Sequence, residues 1–229
     1  MNDDAGLYLR VREKEGRLYS DEFVKRLPAV PANHPLRSEW NARAASSDRL
    51  VGYLGRFRKR ITILELGCGN GWLSHRIACA TNAAVVGLDR DSPELQQARR
   101  VFSFPRNLGW LSADIHISPF AGCVFDVIVI ASAIQYFADL RSLLGTLIPL
   151  LMPHGEIHIL DSPLYSEGEL PDARERSKRY YEKLGFPGMA ARYHHHTLTA
   201  LDAYNLDWLY TPQRETQGGE DQLRDSPFP

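Results

Sequence analysis

Apolar positions along the chain follow two periods. Short, mostly apolar runs occur at 61–66, 84–88, 109–115, 125–132 and 155–161. Runs of that length and composition read as strands covered on both faces. Between them the apolar residues return three and four positions apart, the period of a helix with one buried side. Leu73, Ile77 and Ala78 follow the first run in this way, and Leu95, Ala98 and Val101 follow the second. An apolar helix over 140–151, closed by Pro153-His-Gly155, separates the last two runs. Strands alternating with helices predict an α/β fold, a three-layer doubly wound sheet that is mostly parallel.

The flanks read differently. Residues 1–35 are polar and charge-dense, with a short helix over 21–27 that Ser20 caps and Pro28 stops. The charge run Arg10-Val-Arg-Glu-Lys-Glu-Gly16 reads as a solvated face or as a lid from which Tyr19 reaches a substrate. A long helix over 36–60 sets Trp40, Ala44, Ser47, Leu50 and Leu54 on one stripe. Residues 1–60 thus form a helical cap and 61–229 the main domain. Beyond the fifth strand, 171–184 is a charged helix stopped by Gly185, and the run His194-His-His196 is expected in an exposed loop. Residues 206–211 look like a sixth strand.

Composition narrows the class. With 44% hydrophobic and 24% charged residues the chain is an ordinary globular one, and a formal charge of −1 supplies no field for a nucleic acid backbone. Three scattered cysteines lack metal spacing and suggest a reducing, cytoplasmic setting. No apolar run reaches the roughly 20 residues that cross a bilayer. Consecutive histidines point apart on a strand and splay on a helix, so no metal site is expected.

The chemistry concentrates after the first strand. Gly67, Gly69 and Gly71 make a tight bend that opens a helix, leaving bare backbone against which a ligand can rest. A dinucleotide turn needs a small residue where this chain has Trp72, which argues against NAD or FAD. Asp89 ends the second strand about 20 residues on, the distance at which a βαβ unit sets an acid beside a ribose diol. A carboxylate accepts both hydrogen bonds of such a diol.

The string Glu65-Leu-Gly-Cys-Gly-Asn-Gly71 resembles motif I of class I S-adenosylmethionine-dependent methyltransferases, whose Rossmann-like fold the whole pattern matches. The acids after strands two and three, Phe125-Asp126 before strand four and the turn before strand five occur in the family's order, over about 61–163. The resemblance implies S-adenosylmethionine as cofactor, held by Glu65, Gly67, Cys68, Gly69 and Trp72 at the bend. It also implies Asp89 and Arg90 at the ribose, Asp114 and Ile115 at the adenine, and Ser132 after the fourth strand. Arg43 could pair with the cofactor carboxylate or be a plain surface arginine. Tyr136, positioned by Gln135, is the expected catalytic residue, with Tyr19, Tyr165, Tyr193 and His194 as substrate contacts.

This chain lacks the N/D-P-P-Y/F motif of nucleobase amino-methylation after strand four, and no cysteine falls where cytosine chemistry needs a thiol. A small-molecule acceptor is therefore expected, with nucleic acid unlikely and no membrane partner. An aminopropyl transferase of the same fold and a non-catalytic cofactor-binding partner module are the other readings. The seventh, antiparallel strand usual in such sheets has no apolar run here. Either the sequence is cut short of it, or the edge needs a cover or a partner chain, as in a homodimer.

Overall fold

The computed structural model describes residues 3–90, 92–117 and 120–210. Five parallel strands form the central sheet: β1 (Thr62–Leu66), β2 (Ala84–Asp89), β3 (Leu108–Ser112), β4 (Phe125–Ala131) and β5 (Leu151–Leu160), in the order β3-β2-β1-β4-β5. The chain moves outward from β1 to β3 and then crosses to the other side of β1. That crossing makes a topological switch point between β1 and β4, where open α/β sheets bind ligands.

Alternation of side chains explains the layers. Ile63, Val85, Val127 and Val129 face one way, against α3 (Arg37–Leu54) and α4 (Trp72–Ala80). Leu64, Leu66, Ile128 and Ile130 face the other way, against α6 (Leu140–Leu147). The expected three-layer, doubly wound arrangement is present. Asp126 precedes the sheet's central pairing and is structural: it accepts the Thr62 amide at 2.9 Å and pairs with Lys59.

Several boundaries differ from the sequence reading. The helix expected to reach 151 ends at Leu147, because Pro149 forces a tighter turn and Leu151 already pairs with Phe125. An irregularity between Phe125 and Val127 then absorbs Met152–Gly155 into β5. The charge run near the N-terminus is largely α1 (Asp3–Lys14), followed by α2 (Asp21–Val24), whose Ser20 cap is as expected. It is no solvated face throughout, since Val11 is buried and Arg17 is 5% exposed.

The three histidines are not an exposed loop. His196 is buried in β7 (His196–Thr197), which pairs in parallel with β6 (Leu164–Tyr165) in a separate small sheet. Residues 206–210 form no strand and stand exposed, and 211 lies outside the described residues. No strand beyond β5 occurs in the main sheet among the described residues. The helix α5 (Pro93–Val101) starts after Ser92 as expected, and α7 (Leu170–Leu184) begins one residue before the expected 171 and is stopped by Gly185 as expected.

Candidate functional site

The bend after β1 is built by three glycines with positive φ: Gly67 at 75°, Gly69 at 50° and Gly71 at 77°. Each is required for a different reason. A side chain at Gly67 would strike Ala133, and one at Gly71 would enter the Trp110 ring. At Gly69 a Cβ would meet nothing within 4 Å, so the backbone there borders open space. This is a cradle kept clear rather than a tight packing position.

Acids close around that bend. Asp89 accepts the Gly69 amide at 2.7 Å on one carboxylate oxygen and the Arg90 amide at 2.7 Å on the other. Burial raises its carboxyl to about 6 against those two bonds. Glu65 lies under the bend and accepts a short hydrogen bond from the Ser74 hydroxyl. Burial, with the Asp89 charge adding to it, raises Glu65 to about 8. Asp114 stands at the same sheet edge, since Asp89 lies level with Ser112 and accepts the Ala113 amide at 3.0 Å through its carbonyl.

Over this edge lies α1. Its Leu7 and Val11 dock into a cluster with Tyr181, Met189 and Tyr193, which turns Tyr8 and Arg12 one turn apart toward the bend. Tyr8 meets Tyr136 edge-on at 5.5 Å, and Arg12 pairs with Glu94 at 3.4 Å. Beneath them α1 encloses a cavity of about 80 Å³ lined by Glu65, Gly67, Cys68, Gly69, Asn70 and Trp72, by Arg43, Trp40, Tyr19 and Arg17, and by Ser132 and Tyr136.

The cation side is an ion network. Glu39, 7% exposed, accepts both Arg17 terminal nitrogens at 2.8 Å and the Arg43 Nε at 3.0 Å. Arg43 is therefore no free surface arginine. Two further residues hold backbone that non-glycine residues seldom adopt: Ser132 with φ 52° and Asp161 with φ 49°, at the ends of β4 and β5. They are tied together, the Ser132 hydroxyl donating to the Asp161 carbonyl at 3.0 Å, while Ser46 donates to the Asp161 carboxylate.

The sequence-derived residues divide accordingly. Glu65, Gly67, Cys68, Gly69, Trp72, Arg43, Ser132, Tyr19 and Tyr136 line one cavity. Asp89 and Arg90 border it through the bend, and Arg90 reaches the half-exposed Asp114 at 3.6 Å. Ile115 is drawn into the core against α6, where it presents no open face to a ring. Gln135 is buried; its Nε2 donates to the Ser132 carbonyl at 2.7 Å and its Oε1 has no partner, so it shapes the turn before Tyr136. Tyr165, Tyr193 and His194 lie beside β6 and β7, outside the cavity lining: Tyr193 is buried against Tyr136 and Tyr181, and the His194 amide donates to the Gln135 carbonyl. Tyr8, Arg12, Arg17, Trp40, Asn70 and Glu94 were not anticipated at the site. The pairing of Leu7 with Val11 and of Tyr8 with Arg12, each four apart, was the available signal for α1.

A 3-2-1-4-5 parallel sheet with a glycine bend after β1 and acids ending the next strands defines a class I S-adenosylmethionine-dependent methyltransferase. Residues 57–218 match the family model described as "Methyltransferase domain", and the chain belongs to that family. It is similar to an uncharacterized methyltransferase of Mycobacterium bovis, 32% identical over 43% of this chain and 49% of the relative. It is also similar to the 2-phytyl-1,4-naphtoquinone methyltransferase of Thermosynechococcus vestitus, 30% identical over 58% of this chain and 60% of that one. The chain thus spans about half the length of the curated relatives it matches. In fold it is similar to phosphoethanolamine N-methyltransferase 2 of Haemonchus contortus, solved in complex with S-adenosyl-L-methionine. That match has a TM-score of 0.54 at 17% identity and covers 84% of this chain and 42% of that one.

Proposed function

We propose that this protein transfers a methyl group from S-adenosylmethionine to a small-molecule acceptor. The observation that carries the reading is the junction of the Gly69 cradle with Asp89, an open backbone concavity whose amide is bonded by the acid meant for a ribose. The residues present fit the cofactor. Glu65 suits its ammonium, and Arg43, hydrogen-bonded to Glu39, its carboxylate. Asp89 has acceptor capacity left for a diol, and Asp114 stands one strand further for the adenine amine.

The sulfonium supplies, when bound, a methyl group already activated for transfer. What remains for the chain is positioning, which is worth roughly 7–11 kcal/mol in favourable cases. The α1 helix covers the cleft and excludes water. Tyr136, whose phenol burial pushes up to about 12, keeps its proton near neutrality and serves as a hydrogen-bond donor rather than a base. Gln135 holds the turn that presents it.

An aminopropyl transfer is disfavoured because the two acids of the lining are committed: Glu94 to Arg12, and Glu65 to the cofactor's ammonium. A polyamine finds no paired carboxylates there. Three free cysteines, Cys68, Cys79 and Cys123, suit a cytoplasmic setting. Among the described residues no helix is long and apolar enough to cross a membrane. The outer edge of β5 is where a second copy would add its strand in a homodimer. The test is acceptor-dependent release of S-adenosylhomocysteine from S-adenosylmethionine across a metabolite panel. Release with at least one acceptor supports the reading, and binding of the cofactor without any release counts for a non-catalytic module.

A further inference from the structure

We propose that the methyl acceptor is a small aromatic acid, its carboxylate held by Arg12 of α1 and its flat body set against Tyr8 and Tyr136. This rests on the methyltransferase reading and adds the substrate class. Three arginines line the cleft: Arg17 and Arg43 both converge on Glu39 at 2.8–3.0 Å, and Arg43 is the one assigned to the cofactor carboxylate. Arg12 is different. Among the described residues its buried Nε has no hydrogen-bond partner, and its guanidinium carries one long bond, to a Glu94 oxygen at 3.4 Å, while lying 5.8 Å from the centre of the Tyr8 ring. A guanidinium is a planar fork of five donors that matches a carboxylate in two-point contact. One long bond leaves most of that fork facing the cleft without use.

The surroundings of Arg12 specify the rest of the ligand. Tyr8, one turn away on the same helix, meets Tyr136 edge-on at 5.5 Å and an interplanar angle of 89°. A wall of tyrosine rings takes a flat apolar body edge-on or offset. Among the described residues of the lining, no group is left free to take a proton from a neutral hydroxyl once the cofactor is seated. Of its two acids Glu94 is ion-paired and Glu65 is assigned to the cofactor's amino end, and burial keeps Tyr8 and Tyr136 protonated. A nucleophile that arrives ionised needs no such base.

The step balances without a proton transfer. The carboxylate oxygen forms the new O–CH3 bond while the S–CH3 bond breaks and its electron pair remains on sulfur. An anion and a sulfonium become a neutral methyl ester and a thioether. Recognition and reactivity then select the same feature of the acceptor, its negative charge.

The test compares acids with their neutral isosteres in the full chain saturated with S-adenosylhomocysteine. Benzoate, 4-hydroxybenzoate, cinnamate and indole-3-acetate are each paired with the matching amide, and binding is read by ligand-observed NMR titration. At least one acid is expected to bind about tenfold or more tightly than its amide. In Arg12→Gln that ratio should fall to about one, and Arg12→Lys should retain part of it. A merely structural Arg12 would lower acid and amide alike and leave the ratio unchanged, which overturns the proposal. So does equal binding of acids and amides by the unaltered protein, or no binding of any acid at about 10 mM. A melting curve checks Arg12→Gln for folding, and should it fail to fold, the acid-to-amide ratio of the unaltered protein and of Arg12→Lys decides. Failure of S-adenosylhomocysteine itself to bind would bring down the methyltransferase reading. Its binding without discrimination between acid and amide overturns this inference alone.

Discussion

Cofactor binding should release a proton, and Glu65 should be its source. In the ligand-free cleft burial raises this carboxyl to about 8, so at pH 7 about nine-tenths of the molecules carry the proton. An ammonium seated beside Glu65 returns it to the ordinary carboxylate range near 4.3, since an opposite charge at close range favours the ionised form. About 0.9 proton should therefore leave Glu65 per cofactor bound at pH 7. The ionised fraction of the free protein rises from about 1% at pH 6 to about half at pH 8, so Glu65's share of the affinity gain is about fiftyfold, or roughly 2 kcal/mol. Calorimetric titration with S-adenosylhomocysteine in phosphate and in Tris, buffers of different ionisation enthalpy, counts the protons. The same titration of Glu65→Gln removes the ligand amine's own contribution by difference. Equal proton counts for the two proteins, with parallel affinity curves between pH 6 and 8, would refute the placement of the cofactor's amino end at Glu65.

Three other outcomes follow from the same geometry. Glu39→Ala leaves Arg17 and Arg43 buried without their shared partner and should destabilise the fold by about 3–5 kcal/mol in a denaturant titration. A loss under about 1 kcal/mol would show that water reaches both guanidinium groups. Asp89→Ala should weaken S-adenosylmethionine binding about tenfold or more, because it removes both the diol acceptor and the partner of the Gly69 amide; an unchanged dissociation constant would show the ribose to lie elsewhere. Glu65 also bears on stability without ligand. Its folded-state value lies above its unfolded one, so its stabilising share is full below about 4.5 and is lost as pH rises through about 8. The ligand-free melting temperature should fall over that window more steeply than in Glu65→Gln, and equal slopes would contradict the buried, protonated carboxyl.

The sheet and the bend were legible because their signals are local. Unbroken apolar runs such as 127–131 suit a parallel strand buried on both faces, and a bend of three glycines needs no distant partner to be recognised. Arg43 and Asp89 were placed by spacing along single elements. The adenine side was less legible: Ile115 is apolar and follows an acid, yet the short turn at Ile115–Ile117 rolls it into the core against α6.

The misreadings arose where partners are remote in sequence. In α1 the charges outnumber the apolar residues, and only the docking of Leu7 and Val11 on Tyr181 and Tyr193, some 170 residues away, turns Arg12 and Tyr8 inward. The histidine run looked like loop because its strand partner, Leu164–Tyr165, precedes it by a whole helix. Residues 206–210 have the composition of a strand but no neighbour along the described sheet to pair with, and propensity alone does not make a strand. The ion network around Glu39 could not be read from spacing, since Arg17 comes to it from across a proline-rich connector.

The central claim is that the glycine bend and the acids at the ends of β2 and β3 form one berth for a sulfonium nucleoside. Calorimetric titration of the full chain with S-adenosylmethionine, beside Gly69→Val, tests it most directly. The account predicts a single site with a dissociation constant on the order of micromolar, abolished in a Gly69→Val protein that still melts cooperatively, because the branched side chain fills the open space at the bend. No heat of binding at millimolar cofactor, or undiminished affinity in the valine variant, would contradict it.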